Sequence, residues 1–103
     1  MKDKDLRIVE KIISRIKSTL SYCDGCTADS FYENSMLQEA CVFNLLQIGE
    51  LANHLSDDFI NSSPQIPWRQ IIGLRNRLVH DYDGIRLTIV WETISEDFPV
   101  LLL

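Results

Sequence analysis

The sequence predicts an all-α fold, a four-helix bundle of antiparallel helical hairpins formed by a single domain over residues 1–103. Three observations point there. Apolar residues recur at helical spacing in four segments, no stretch shows the strict alternation of a half-buried strand, and glycine, proline and polar turn formers separate the segments.

In the first segment Leu6, Ile8, Val9, Ile12, Ile13, Ile16 and Leu20 repeat at helical steps among charges, which predicts an amphipathic helix from about residue 4 to 22. Asp24-Gly25 is a natural break. The second, "SMLQEACVFNLLQIGELANHL", is apolar at too many positions for one stripe, so this helix should be covered on more than one side. "NSSPQIPW" holds two prolines and polar turn formers, and reads as a loop into a third helix starting near Pro67 or Trp68. That helix carries Ile71, Ile72, Leu74, Leu78 and Val79, and Asp83-Gly84 should turn the chain after it. In the fourth, Leu87, Trp91, Ile94, Phe98 and Leu101 alternate steps of four and three, the spacing of a continuous packing face that Pro99 kinks or ends.

A chain of 103 residues suffices for one domain and buries only roughly 60 to 70 per cent of its unfolded surface, so pairing with a second copy would gain apolar burial. The formal charge of −5 argues against a generally basic, nonspecific nucleic-acid binder. Its distribution is uneven. Six basic residues fall between Lys2 and Lys17, none between Ser18 and Pro67, and four more are Arg69, Arg75, Arg77 and Arg86. Seven acids in the middle stretch are a solvated face or a docking surface for a basic partner.

Neither a long uncharged apolar run nor an apolar leader is present, so no membrane association is expected and the expected location is the cytoplasm. The odd count of three cysteines fits reduced thiols there. "CDGC" at 23–26 has redox or zinc spacing, but a zinc site would need Cys41 and His54 as irregular further ligands, and ordinary thiols are the expectation. No metal and no cofactor are expected.

"RNRLVHDY", Arg75 to Tyr82, gathers the residues with chemistry. One reading is structural: His80 and the arginines complement the negative end of the helix dipole, and Tyr82 packs its ring. The other is phosphate handling. Arginine clamps a phosphate with paired donors, histidine exchanges protons near neutral pH, and asparagine can orient either, which together suffice for metal-free RNA cleavage by the 2'-hydroxyl. Arg75 stabilises charge in that scheme, His80 acts as base or acid, and Asn76, Arg77 and Tyr82 bind or orient substrate.

On an ideal helix Arg75 and His80 stand about 140° apart. They meet if the arginine reaches round, if the helix ends before His80, or if a second subunit joins them in one cleft.

The motif, with "LLQIGELANHLS" at 45–56, "IPWRQIIGLRNRLVHDYDGI" at 66–85 and "VWETISEDFPVL" at 90–101, resembles the HEPN superfamily, specifically its small HepT-like (DUF86) proteins. The family pattern of arginine, four to six residues, histidine, any residue and tyrosine reads here as Arg75, "NRLV", His80, Asp81, Tyr82. The resemblance implies a HEPN-like helical fold and a metal-independent endoribonuclease toxin with Arg75 and His80 as its catalytic pair. It also implies a homodimer whose motif helices share a cleft, a small nucleotidyltransferase-type antitoxin as partner, and Tyr82 as an acceptor of AMP.

Glu50 in "IGE" matches a family position too. It either lies at the edge of a close helix crossing at Gly49 or orients the arginine from across the bundle. A noncatalytic nucleotide-binding or partner-binding helical module is the alternative function.

Overall fold

Isoleucines four residues apart set the first helix, α1 (Asp3–Tyr22), and Ile8, Ile12 and Ile16 on its inner face are buried. The computed structural model describes residues 3–80, without the His80 side chain, and 87–102. After α1, Gly25 takes φ 76°, a left-handed conformation that glycine adopts without steric cost and that turns the chain where Asp24-Gly25 predicted a break.

Two short helices that the apolar periodicity did not announce flank the second long one. In α2 (Ala28–Tyr32) a capping box ties the Thr27 and Ser30 side chains to each other's backbone N–H groups, at 3.1 and 2.9 Å. Helix α3 (Ser35–Ala52) starts at Asn34, whose Oδ1 accepts from the Leu37 N–H at 3.1 Å. Ser56 caps α4 (Asp57–Ser62), so part of the expected "NSSPQIPW" loop is helical. Helix α5 (Trp68–His80) begins at the predicted place, directly after Pro67.

The fourth segment is helical but not uniform. It runs as α6 (Leu87–Glu92), a π-helical stretch over Thr93–Asp97 and α7 (Phe98–Leu101), with Val90, Ile94 and Phe98 fully buried. Pro99 has no N–H to donate and its ring crowds the carbonyl of Ser95 four residues back. The wider π turn just ahead of it lets the helical path continue.

The described fold is all-α, with α3 packed between α1 and α5, the π-helical stretch touching α1, and α6 reaching α2. Trp68 anchors α5: it is buried, its indole N–H donates to Ser63 Oγ at 3.0 Å, and its ring lies 6.0 Å from that of Phe59. Buried polar groups are matched as burial requires. Asn44 Nδ2 donates to Thr19 Oγ1 at 3.0 Å while its Oδ1 accepts from Arg15 at 3.2 Å. Asp5 accepts from the Ser56 N–H and hydroxyl at 2.9 and 2.7 Å, fastening the start of α1 to the cap of α4.

The expectation that α3 is covered on more than one side holds for its Asn44–Ile48 and Val42–Gly49 flanks. One strip stays open. Met36 is 81% exposed and Phe43 is 52% exposed. No helix among the described residues is long and apolar enough to cross a membrane.

Candidate active site

Gly49 decides how near α5 comes to α3. A Cβ at that position would overlap Arg75 Cβ, stand 2.7 Å from Arg75 Cγ and lie 3.3 Å from the Ile71 carbonyl oxygen. Glycine in a helix interior costs about 0.5–1 kcal/mol relative to alanine, and here that cost lets the Arg75 stem lie against the backbone of α3.

The close crossing puts Arg75 beside the next residue of α3. Arg75 Nη2 donates to Glu50 Oε2 at 2.7 Å, and Nη1 donates to Asn76 Oδ1 at 2.9 Å. The arginine side chain is 28% exposed and the glutamate 44%, so the pair sits at a half-open surface. Both readings of "IGEL" are therefore present in the geometry: a tight crossing at Gly49, and a glutamate bonded to the motif arginine across the helix pair. The second carboxylate oxygen accepts from His54 Nε2 at 3.2 Å, with His54 60% exposed.

Four side chains thus form one chain of contacts, His54 to Glu50 to Arg75 to Asn76. Of a guanidinium's five N–H donors, Glu50 and Asn76 engage two. Among the described residues the other three engage no acceptor. The arrangement fixes the plane of the fork while leaving it able to receive phosphate oxygens in pairs.

The sequence had not assigned His54 to this cluster, having weighed it only as a remote zinc ligand. Its signal was legible, since Glu50 and His54 are four residues apart on one helical face. The zinc arrangement does not form. Cys41 is buried with its Sγ 3.6 Å from Cys23 Sγ, while His54 turns to Glu50. Among the described residues no group of three or more His, Cys, Asp or Glu is placed to hold a metal ion.

Helix α5 continues through His80, so the helix does not end early to bring His80 round to Arg75. That leaves a reaching arginine or a second subunit. Tyr82, Asp81, Arg86 and the expected Asp83-Gly84 turn lie outside the described residues.

Arg77 does not join Arg75, Glu50 and Asn76. It is exposed and lines a separate, mostly apolar groove of about 550 Å³ between α5 and the C-terminal helical segment, with Gln70, Leu74, Ile89, Asp97 and Leu101. Trp68, at the start of α5, is in the core and not at this surface.

Comparison with known proteins decides the family. The family model described as "Ribonuclease HepT-like" matches residues 9–103. The chain belongs to the ribonuclease HepT-like family. The HepT-like relatives include "Putative RNase MJ0127" of Methanocaldococcus jannaschii, 34% identical over 96% of this chain and 83% of that protein. "Probable ribonuclease HepT" of Thermococcus cleftensis is 30% identical over 98% of this chain and 92% of its own length. "Putative RNase TTE0752" of Caldanaerobacter subterraneus subsp. tengcongensis is 31% identical over 90% and 83%. No solved structure matches the chain. Membership places this HepT-like chain in an enzyme family, and the enzyme class is ribonuclease.

Proposed function

We propose that this chain is a metal-independent endoribonuclease in which Arg75 and His80 act on an RNA phosphodiester. The observation that carries the reading is the Arg75 guanidinium, held by Glu50 and Asn76 with three donors unengaged among the described residues, in a HepT-like chain whose Arg-x4-His motif is complete.

The 2'-hydroxyl attacks the adjacent phosphorus while His80 accepts its proton. The bond from phosphorus to the 5'-oxygen breaks, and that oxygen takes a proton from the protonated imidazole of His80 or of its counterpart in a second copy. The products are a 2',3'-cyclic phosphate and a 5'-hydroxyl. Arg75 faces the non-bridging oxygens, where negative charge grows in the transition state. Glu50 and Asn76 are positioning residues that hold the guanidinium plane, and His54 steadies Glu50.

The 140° between Arg75 and His80 on one continuous α5 favours a homodimer of HEPN-like four-helix domains, each spanning 1–103, in which two motif helices share a cleft. As a toxin the chain would be governed by a nucleotidyltransferase-type antitoxin. Attack of the Tyr82 phenol on the α-phosphate of ATP releases pyrophosphate and leaves AMP two residues from His80, where its negative charge occupies the phosphate site. The cytoplasm, where RNA is abundant and thiols stay reduced, suits this activity.

Purified Arg75→Ala and His80→Ala proteins, checked for unchanged helicity by circular dichroism, test the assignment on a mixed RNA substrate. Loss of cleavage by about a thousandfold or more in each is expected. Full cleavage by both folded variants would rule the pair out.

A further inference from the structure

The charge of Arg75 is matched by Glu50, and the chain as a whole is acidic, so the candidate site supplies little net attraction for a polyanion. The five basic residues of α1, Lys4, Arg7, Lys11, Arg15 and Lys17, make no contact with Arg75, Glu50 or Asn76 through a hydrogen bond or ion pair. Four of them fall on one line of α1. At 100° per residue Lys4, Arg7, Lys11 and Arg15 lie within about 80° of arc, and Arg7, Lys11 and Arg15 follow one another at about 6 Å of rise. The exposed acids of α1, Asp3 and Glu10, stand about 80–100° round the helix from the centre of this line. Among the described residues none of the four cations is in an ion pair.

This line borders the open strip of α3. Lys11, Ser14, Arg15 and Ser18 of α1 meet Gln47 and Leu51 of α3 in a polar groove of about 600 Å³. The Arg15 guanidinium lies over the ring of Phe43, 5.5 Å from its centroid. Phe43 and Glu50 are two turns apart on the same side of α3, separated by about 10 Å along the axis. The open strip therefore has the cations of α1 along one side and Arg75, reached through Glu50, along the other.

We infer that Lys4, Arg7, Lys11 and Arg15 form a track that binds the phosphodiester backbone of single-stranded RNA and leads the strand to Arg75. The inference rests on the ribonuclease reading above for its destination, while the binding itself does not depend on cleavage. Unpaired cations one helical turn apart suit successive phosphates of an extended strand. The Arg15 guanidinium over the exposed Phe43 ring joins a cation to an aromatic face, two groups on which RNA bases stack, which favours RNA over an acidic polypeptide. The groove beside Arg15 and Gln47 offers hydroxyl, amide and cationic donors to phosphate and ribose oxygens.

The test uses the full chain and a triple variant, Lys4→Gln with Arg7→Gln and Lys11→Gln, three exposed positions whose side chains form no hydrogen bond or ion pair among the described residues. Arg15 is kept because it bonds Asn44. A short labelled 2'-O-methyl oligoribonucleotide, which lacks the attacking hydroxyl, reads binding alone. The triple variant should bind it about tenfold or more weakly at low salt, and the slope of log affinity against log salt should fall in magnitude by about 2. On cleavable RNA its KM should rise with kcat unchanged.

Equal affinity and an equal salt slope in the two proteins would overturn the track. So would selective binding of polyglutamate in place of the oligoribonucleotide. Oligonucleotide binding that depends on the three cations in a chain that cuts no RNA would uphold the track and remove the ribonuclease reading. Normal cleavage with unchanged KM and slope in the triple variant would do the reverse.

Discussion

At Arg75 one planar group serves Glu50 through Nη2 and Asn76 through Nη1, a paired geometry that the guanidinium fork presets and a single ammonium does not. Arg75→Lys keeps the charge and loses the fork. Its cleavage rate should fall by about tenfold to a hundredfold with little change in stability, since half-open ion pairs contribute about 0–1 kcal/mol. Single-turnover cleavage with a parallel melting curve measures this, and a lysine variant at full rate would show that charge alone suffices. The contacts around Arg75 were legible in sequence to different degrees. "RNRLVH" exposed the motif, and "IGE" offered Glu50 as a partner. The Glu50–His54 step escaped notice because an i, i+4 pair has meaning only once the carboxylate is known to be engaged. Asp5 was equally hidden: an acid in a first helical turn looks like a dipole partner, and its buried bonds go to Ser56, 51 residues further on.

Among the elements, the long helices followed from apolar spacing because packing and local propensity agree in them. Helices α2 and α4 did not, since each is only five or six residues long and begins at a side-chain cap, Thr27 or Ser56, that periodicity cannot register. The π-helical stretch is a local answer to Pro99, whose position was plain in the sequence while the response of the backbone was not. The α3–α5 crossing turns on Gly49, and Gly49→Ala should destabilise the fold by about 1–3 kcal/mol through overpacking against Arg75 and Ile71. A denaturant midpoint measures it, and an unchanged midpoint together with unchanged activity would show that the crossing tolerates a methyl group. Where the end of α1 meets α3, burial raises the Cys23 thiol and pushes Cys41 up to about 12, the two sulfurs standing 3.6 Å apart. Unfolded thiols ionise first as pH rises, so the folded state then holds more protons and loses stability between the ordinary thiol range, about 8.5, and 12. Denaturant midpoints measured across that range should decline, and Cys41→Val should flatten the decline. An identical decline in the variant would assign it to other groups.

Over the whole molecule, the described cations of this acidic all-α chain lie on two helices, α1 and the motif helix α5, with the open strip of α3 between the α1 line and Arg75. The all-α class and the family were readable from sequence because the helical segments and the motif keep their order along the chain. How the segments face one another was not, because it depends on a glycine crossing and on contacts between residues far apart in sequence. The central claim is chemical: the RNA's own 2'-hydroxyl is the nucleophile, and Arg75 with His80 replaces a metal ion. End-group analysis of RNA cut by chelator-treated protein tests it most directly. The account predicts undiminished cleavage leaving 2',3'-cyclic phosphate and 5'-hydroxyl ends. Cleavage that strictly requires added divalent metal and leaves 5'-phosphate ends would contradict it.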